Sequence, residues 1–109
     1  MVVLDTSVAI EKVKKGEKIR ESITAVTMVE FPKILEYRHF TGDVIFPKIK
    51  DFFTAYKLQE KLLKLGKPKS FADLLIAAIC VNRQEKLVTK DEDFLDIAEI
   101  STLNVEIIK

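Results

Sequence analysis

Val2-Val3-Leu4-Asp5-Thr6-Ser7-Val8 opens the chain with an unbroken apolar, β-favouring run that stops at an acid. Such a run reads as a central strand buried on both faces of a parallel sheet. The strand is expected to end at Asp5. Ser7 or Thr6 can cap a following helix that carries Val8, Ile10 and Val13 and stops at Gly16.

Working outward, a short second helical piece is expected around Ile19, and Ile23 to Val26 reads as another buried strand. Thr27 and Glu30 have capping-box spacing for a helix running through Ile34 and Leu35, with Pro32 in its first turn. Thr41-Gly42-Asp43 is a turn, and Val44 to Phe46 is either a third strand or an extended linker. From Phe52 onward, Ala55, Leu58, Leu62 and Leu65 recur at helical spacing until Gly66 and Pro68 end the pattern. Ser70 can cap the next helix, placing Asp73 near its start and burying Leu75, Ile76 and Ile79. Leu87 to Thr89 reads as a strand, Phe94 to Ile97 as a short helix and Val105 to Ile108 as a last strand. Strands alternating with helices in this way imply an α/β/α sandwich of three layers around a parallel sheet of four to five strands.

A chain of 109 residues, 48% hydrophobic, can bury one core, so residues 1–109 are expected to form a single domain. With 18 Lys and Arg against 17 Asp and Glu, no global charge draws the chain to nucleic acid, and any polyanion site must be local. The one cysteine, Cys80, lies in an apolar run, which excludes an internal disulfide and a cysteine-based zinc cluster. A reducing cytoplasmic location is expected, with no secretion signal and no apolar stretch near the roughly 20 residues that span a bilayer.

Open parallel sheets bind ligands at the carboxyl ends of their strands. Asp5 and Asp91 follow strands there, and Glu30 and Asp73 are expected in the first turns of helices facing the same way. Several carboxylates in one cleft repel each other unless a cation neutralises them. Oxygen ligands without histidine or thiolate favour Mg²⁺ or Mn²⁺ over Zn²⁺. An ion of that kind can activate water and neutralise phosphoryl charge, so phosphodiester hydrolysis is the expected chemistry.

Leu4-Asp5-Thr6-Ser7, Val26-Thr27-Met28-Val29-Glu30, Ala72-Asp73-Leu74-Leu75-Ile76-Ala77-Ala78 and Leu87-Val88-Thr89-Lys90-Asp91-Glu92-Asp93-Phe94 occur in that order. In these four blocks nearly the whole chain resembles the PIN-domain ribonucleases, in particular the VapC toxins of VapBC toxin–antitoxin pairs. The resemblance implies that Asp5, Glu30, Asp73 and Asp91 are catalytic, metal-binding acids, with Asp93 as a further metal ligand. Ser7 and Thr89 would support them by hydrogen bonding. It also implies endonucleolytic cleavage of RNA, a homodimer, and a cognate antitoxin that blocks the site.

Each residue has a plainer reading. Asp5 alone could cap a helix, Glu30 could be half of a capping box, and Asp73 could complement a helix dipole. Their convergence at one sheet edge is what favours a site; Asp93 and Glu92 could be solvated charges. His39 is assigned no role, and Cys80 is read as a small buried apolar side chain. Among Lys61, Lys64, Lys67 and Lys69, the last two could guide an RNA backbone toward Asp73, although exposed helical lysines usually serve solvation. A non-catalytic RNA- or protein-binding scaffold of the same fold is the alternative, motivated by Pro32 and the short segment between Lys15 and Ile23. An aspartyl-phosphate phosphotransferase is disfavoured because Ser7 stands where its second acid belongs.

Overall fold

The computed structural model describes residues 1–109. β1 (Val2–Leu4) leads through Asp5 into α1 (Thr6–Lys14). There follow β2 (Ile23–Thr24), α2 (Ala25–Glu30), a 3-10 helix at Pro32–Glu36, β3 (Val44–Ile45), α3 (Ile49–Lys64), α4 (Phe71–Arg83), β4 (Lys86–Thr89), α5 (Asp93–Glu99) and β5 (Val105–Ile107).

Every strand pairing is parallel: β1 with β4, β4 with β5, and β2 with β3. A parallel bridge between Val3 and Ser22 joins the two pieces. There the Leu4 amide donates to the Ser22 carbonyl at 2.8 Å and the Ser22 amide to the Val2 carbonyl at 3.0 Å. The strands therefore run β3-β2-β1-β4-β5, and the order reverses between β1 and β4. In a doubly wound sheet the crevice opens at that reversal, outside the carboxyl ends of the strands.

Alternation along the strands builds one core on each face. Val3 and Leu87 pack with Ala55, Leu58 and Leu62 of α3, with the buried run Leu74–Cys80 of α4, and with Phe94 and Ile97 of α5. Leu4 points the other way, into Val8 of α1, Ile19, Ile23 and Ile34, with Val2 and Val88 against them. The three-layer α/β/α arrangement expected from the sequence is thereby present.

Several local expectations are corrected. Neither Thr6 nor Ser7 caps α1; both belong to it, and Asp5 occupies the cap position without a side-chain capping bond. Ile19 is not helical but forms an isolated parallel bridge with Phe40. The second strand stops at Thr24, because β2 and β3 share only the two pairs Ile23–Val44 and Thr24–Ile45. Thr24 rather than Thr27 is then the N-cap, its hydroxyl accepting from the Thr27 amide at 3.5 Å. Pro32 opens the separate 3-10 helix, where its missing N–H costs nothing. Gly42 is needed for a close approach, since a Cβ there would lie 1.8 Å from the Glu21 carbonyl oxygen.

α3 begins at Ile49, earlier than the apolar spacing suggested, because Asp51 organises its start. That buried carboxylate accepts from the Lys48 amide at 2.7 Å and from Asn82 Nδ2 of α4 at 2.7 Å. Ser70 caps α4 as expected, accepting from the Asp73 amide at 3.2 Å.

Candidate metal centre

Asp5 and Asp91 leave the carboxyl ends of the adjacent strands β1 and β4, at the reversal of the sheet order. Asp5 is buried, with 6% of its surface exposed. Its Oδ2 accepts from Thr89 Oγ1 at 2.7 Å and from Ser7 Oγ at 3.2 Å. Thr89 Oγ1 in turn accepts from the Asp91 amide at 3.0 Å, and Asp91 Oδ1 accepts from the Asp93 amide at 2.9 Å. The expected supporting residues, Ser7 and Thr89, are thus bonded to Asp5, and one chain of hydrogen bonds runs from β1 to α5.

Asp73, Asp91 and Asp93 each offer a carboxylate oxygen, and the three lie within 4.8 Å of one another. Asp73 reaches this point from the first turn of α4. Burial and the charges of Asp5 and Asp91 push its carboxyl up to about 6. Burial also raises Asp5, against the hydrogen bond from Thr89, which lowers it.

An all-oxygen donor set suits a hard divalent cation that keeps several waters, and the residues present fit Mg²⁺ or Mn²⁺ on that chemistry. The Asp73 carboxyl, raised by burial and by the charges of Asp5 and Asp91, is the group that a bound cation would return to its ionised form.

Glu30 is not among the three clustered acids. As the last residue of α2, not a first-turn residue, it is exposed and accepts from Thr6 Oγ1 at 2.7 Å. Thr6 Oγ1 also lies 2.9 Å from Thr27 Oγ1, so one hydroxyl links both Thr27 and Glu30 of α2 to the start of α1 beside Asp5. Thr6 was read from sequence only as a possible helix cap; the run Asp5-Thr6-Ser7 of acid and hydroxyls after β1 was the available signal for a role at the site.

The two lysines that could guide an RNA backbone both lie near carboxylates. Lys69, with 9% of its side chain exposed, places Nζ 2.6 Å from Asp96 Oδ2 and 3.7 Å from Asp93 Oδ1. Lys67 Nζ lies 3.6 Å from Asp96 Oδ1. Lys69 is nearly enclosed by its carboxylates, whereas half of the Lys67 side chain stays exposed beside Asp96. Asp96 went unnoticed, although Asp93 and Asp96 at i, i+3 share a helix face. Among the cations without a carboxylate partner, Lys18, Arg20 and Arg38 line a depression with His39 and Thr41 at the amino-terminal side of β2 and β3. Cys80 is buried, and its thiol is pushed up to about 12 by that burial, in keeping with a structural role.

The fold and site define a small doubly wound α/β domain with an all-carboxylate cluster at its sheet switch point. The chain belongs to the PIN domain family, whose model matches residues 42–100. Its fold is similar to solved structures of three complexes. VapBC2 from Rickettsia felis, bound to a DNA fragment from their promoter, matches at 18% identity and TM-score 0.78, over 98% of each chain. DNA-bound VapBC from Salmonella typhimurium matches at 17% identity and TM-score 0.78, over 97% of this chain and 96% of that one. VapBC-5 from Mycobacterium tuberculosis matches at 20% identity and TM-score 0.76, over 97% of each chain. A comparison with curated protein sequences finds no match. No helix is long and apolar enough to cross a membrane.

Proposed function

We propose that the chain is a Mg²⁺- or Mn²⁺-dependent endoribonuclease, the toxin of a toxin–antitoxin pair, acting in the cytoplasm. The observation that carries this reading is the convergence of Asp73, Asp91 and Asp93 beside Asp5 at the β1/β4 reversal. Asp73, Asp91 and Asp93 would hold the ion, with Asp5 next to them and Glu30 at the rim. A bound divalent cation supplies Lewis-acid neutralisation of the charge that develops on a phosphoryl group. Thr89 and Ser7 orient the Asp5 carboxylate by hydrogen bonding, and Ser70 fixes the start of the helix that delivers Asp73.

Likeness to toxin–antitoxin complexes over nearly the whole chain supports an antitoxin partner. So does an apolar groove of about 340 Å³ between the two helix segments that carry Glu30 and Asp73, lined by Val26, Val29, Pro47, Phe71, Ala72 and Leu75. Exposed Ile49, Phe52, Phe53 and Tyr56 on α3 form an apolar stripe of the kind that supports a homodimer.

The test is cleavage of a mixed-structure RNA by wild type and Asp5→Asn in Mg²⁺, Mn²⁺ or EDTA. Metal-dependent cutting that the variant loses is the expected result. Cutting that persists undiminished in the variant overturns the site. One observation favours the scaffold reading: Glu30 is engaged by Thr6 instead of joining the other acids. It predicts RNA binding without turnover in the same assay.

A further inference from the structure

Lys69 is placed with unusual care for a residue in a connection between helices. Gln59 of α3 grips both sides of its peptide, Nε2 donating to the Lys69 carbonyl at 2.9 Å and Oε1 accepting from the Lys69 amide at 3.0 Å. Its nearly buried side chain then delivers the ammonium to Asp96 at 2.6 Å and Asp93 at 3.7 Å on the first turns of α5. Asp93 is also one of the three carboxylates that face one another across the cluster. One acid is thus shared between a cation belonging to the protein and the place where an external cation would sit.

The geometry points to Lys69 as a resident counter-charge that sets the affinity of the acidic cluster for divalent ions, with Asp96 dividing its attention. This rests on reading the cluster as a divalent-metal site. An ammonium beside Asp93 offsets part of the repulsion among the acids, so they can stay together before an ion arrives. The same charge opposes the arriving ion and competes with it for Asp93. Asp96 holds Lys69 more closely than Asp93 does, at 2.6 Å against 3.7 Å. Removing the lysine charge therefore tightens metal binding, and removing the Asp96 charge, which releases Lys69 toward Asp93, weakens it. A lysine that merely tied the α3–α4 connection to α5 would give variants that lose stability, with no reason for metal affinity to move in opposite directions.

The experiment is Mn²⁺ titration of the full chain, followed by electron paramagnetic resonance of the free ion, for wild type, Lys69→Gln, Lys69→Arg, Asp96→Asn and Asp73→Asn. A unit charge a few ångströms away in a largely hydrated site corresponds to about a fivefold change in affinity. Lys69→Gln is expected to bind Mn²⁺ tighter by about that factor and Asp96→Asn weaker by a similar one, with Lys69→Arg close to wild type. Unchanged or weaker binding in Lys69→Gln overturns the inference. If that variant does not fold, Asp96→Asn decides alone, and wild-type or tighter binding there overturns it. A wild type that binds no Mn²⁺, or binds it no better than Asp73→Asn, removes the metal-site reading itself and the inference with it.

Discussion

Thr89 Oγ1 on β4 donates to Asp5 Oδ2 beyond β1 at 2.7 Å, joining two residues 84 positions apart in the chain at the point where the sheet order reverses. The same hydroxyl accepts from the Asp91 amide, so one side chain positions both strand-end acids. Thr89→Val keeps the shape and removes both bonds. It is expected to cost about 1–3 kcal/mol in urea unfolding, because a buried carboxylate loses a donor. The Asp5 carboxyl should titrate higher by carbon-detected NMR, and Thr89→Ser should restore both quantities. A wild-type Asp5 titration in the Val variant would remove the hydroxyl from the account.

The raised Asp73 carboxyl gives the protein a characteristic pH response. Its folded pKa of about 6 lies above the ordinary carboxyl value of 3.8, so between those values the folded state binds more protons than the unfolded state. Stability in EDTA is therefore expected to fall as pH rises through this window, and the melting temperature at pH 7.5 should be below that at pH 5. The raised Asp5 acts in the same direction. Asp96 and Glu11, lowered by Lys69 and Lys90 respectively, contribute stability that is lost only on acidification below their ordinary range. Mg²⁺ should stabilise more at pH 7.5 than at pH 5, and Asp73→Asn should flatten the EDTA profile. A profile that rises toward pH 7.5 in EDTA contradicts the assignment.

Away from the site, Asp51 is a buried carboxylate whose partners are the Lys48 amide and Asn82 of the neighbouring helix. Asp51→Ala strips both of an acceptor and loosens α3 against α4. A loss of roughly 2–4 kcal/mol is expected from removing a charged hydrogen-bonding partner at a buried position. Chemical denaturation measures it, and a change below about 0.5 kcal/mol, the range of an ordinary surface substitution, would show that the contact contributes little.

Glu30 and Asp91 should separate in binding and turnover. Asp91→Asn removes a member of the clustered trio and is expected to lower Mn²⁺ affinity by about tenfold or more, comparable to the loss of one charge-assisted ligand. Glu30→Gln leaves the trio whole, because Glu30 is engaged by Thr6 and is not among the three clustered acids. Its Mn²⁺ affinity should stay within about twofold of wild type, well under the effect of removing a close unit charge, while RNA cleavage falls. Equal losses of Mn²⁺ affinity in the two variants would place Glu30 among the ligands after all.

Salt dependence should report the rearranged lysines. Lys67 faces Asp96, whereas Arg20 and Arg38 have no carboxylate partner. Replacing Arg20 and Arg38 together by Gln is expected to reduce the slope of log affinity for single-stranded RNA against log salt by about 1.4, two phosphates' worth, if both touch the backbone. Lys67→Gln should change it by much less than about 0.7, the value for one phosphate. A reversed order would restore the lysines to the RNA path.

What the amino-acid sequence determined by itself was much of what neighbouring residues decide among themselves. β1 with Asp5 at its end, the Ser70 cap before Asp73, the buried α4 and the β4–Asp91 succession all follow from apolar period, capping chemistry and turn residues within a few positions. The alternation of these elements also implied the parallel three-layer fold. Only the tertiary structure decided the rest. Thr24 and Thr27 are both competent caps, and the choice between them fell to where pairing of β2 with β3 stops, which moved Glu30 from the first turn of a helix to the last. Lys69 is as solvent-seeking as any lysine until Gln59 turns it toward Asp96, 27 residues further on. Asp5 and Asp91 meet because β1 and β4 lie side by side, a consequence of burying both faces of the sheet at once. Local signals place residues on elements, while long-range packing determines which elements become neighbours, and the charges of the site interact across that second set of contacts.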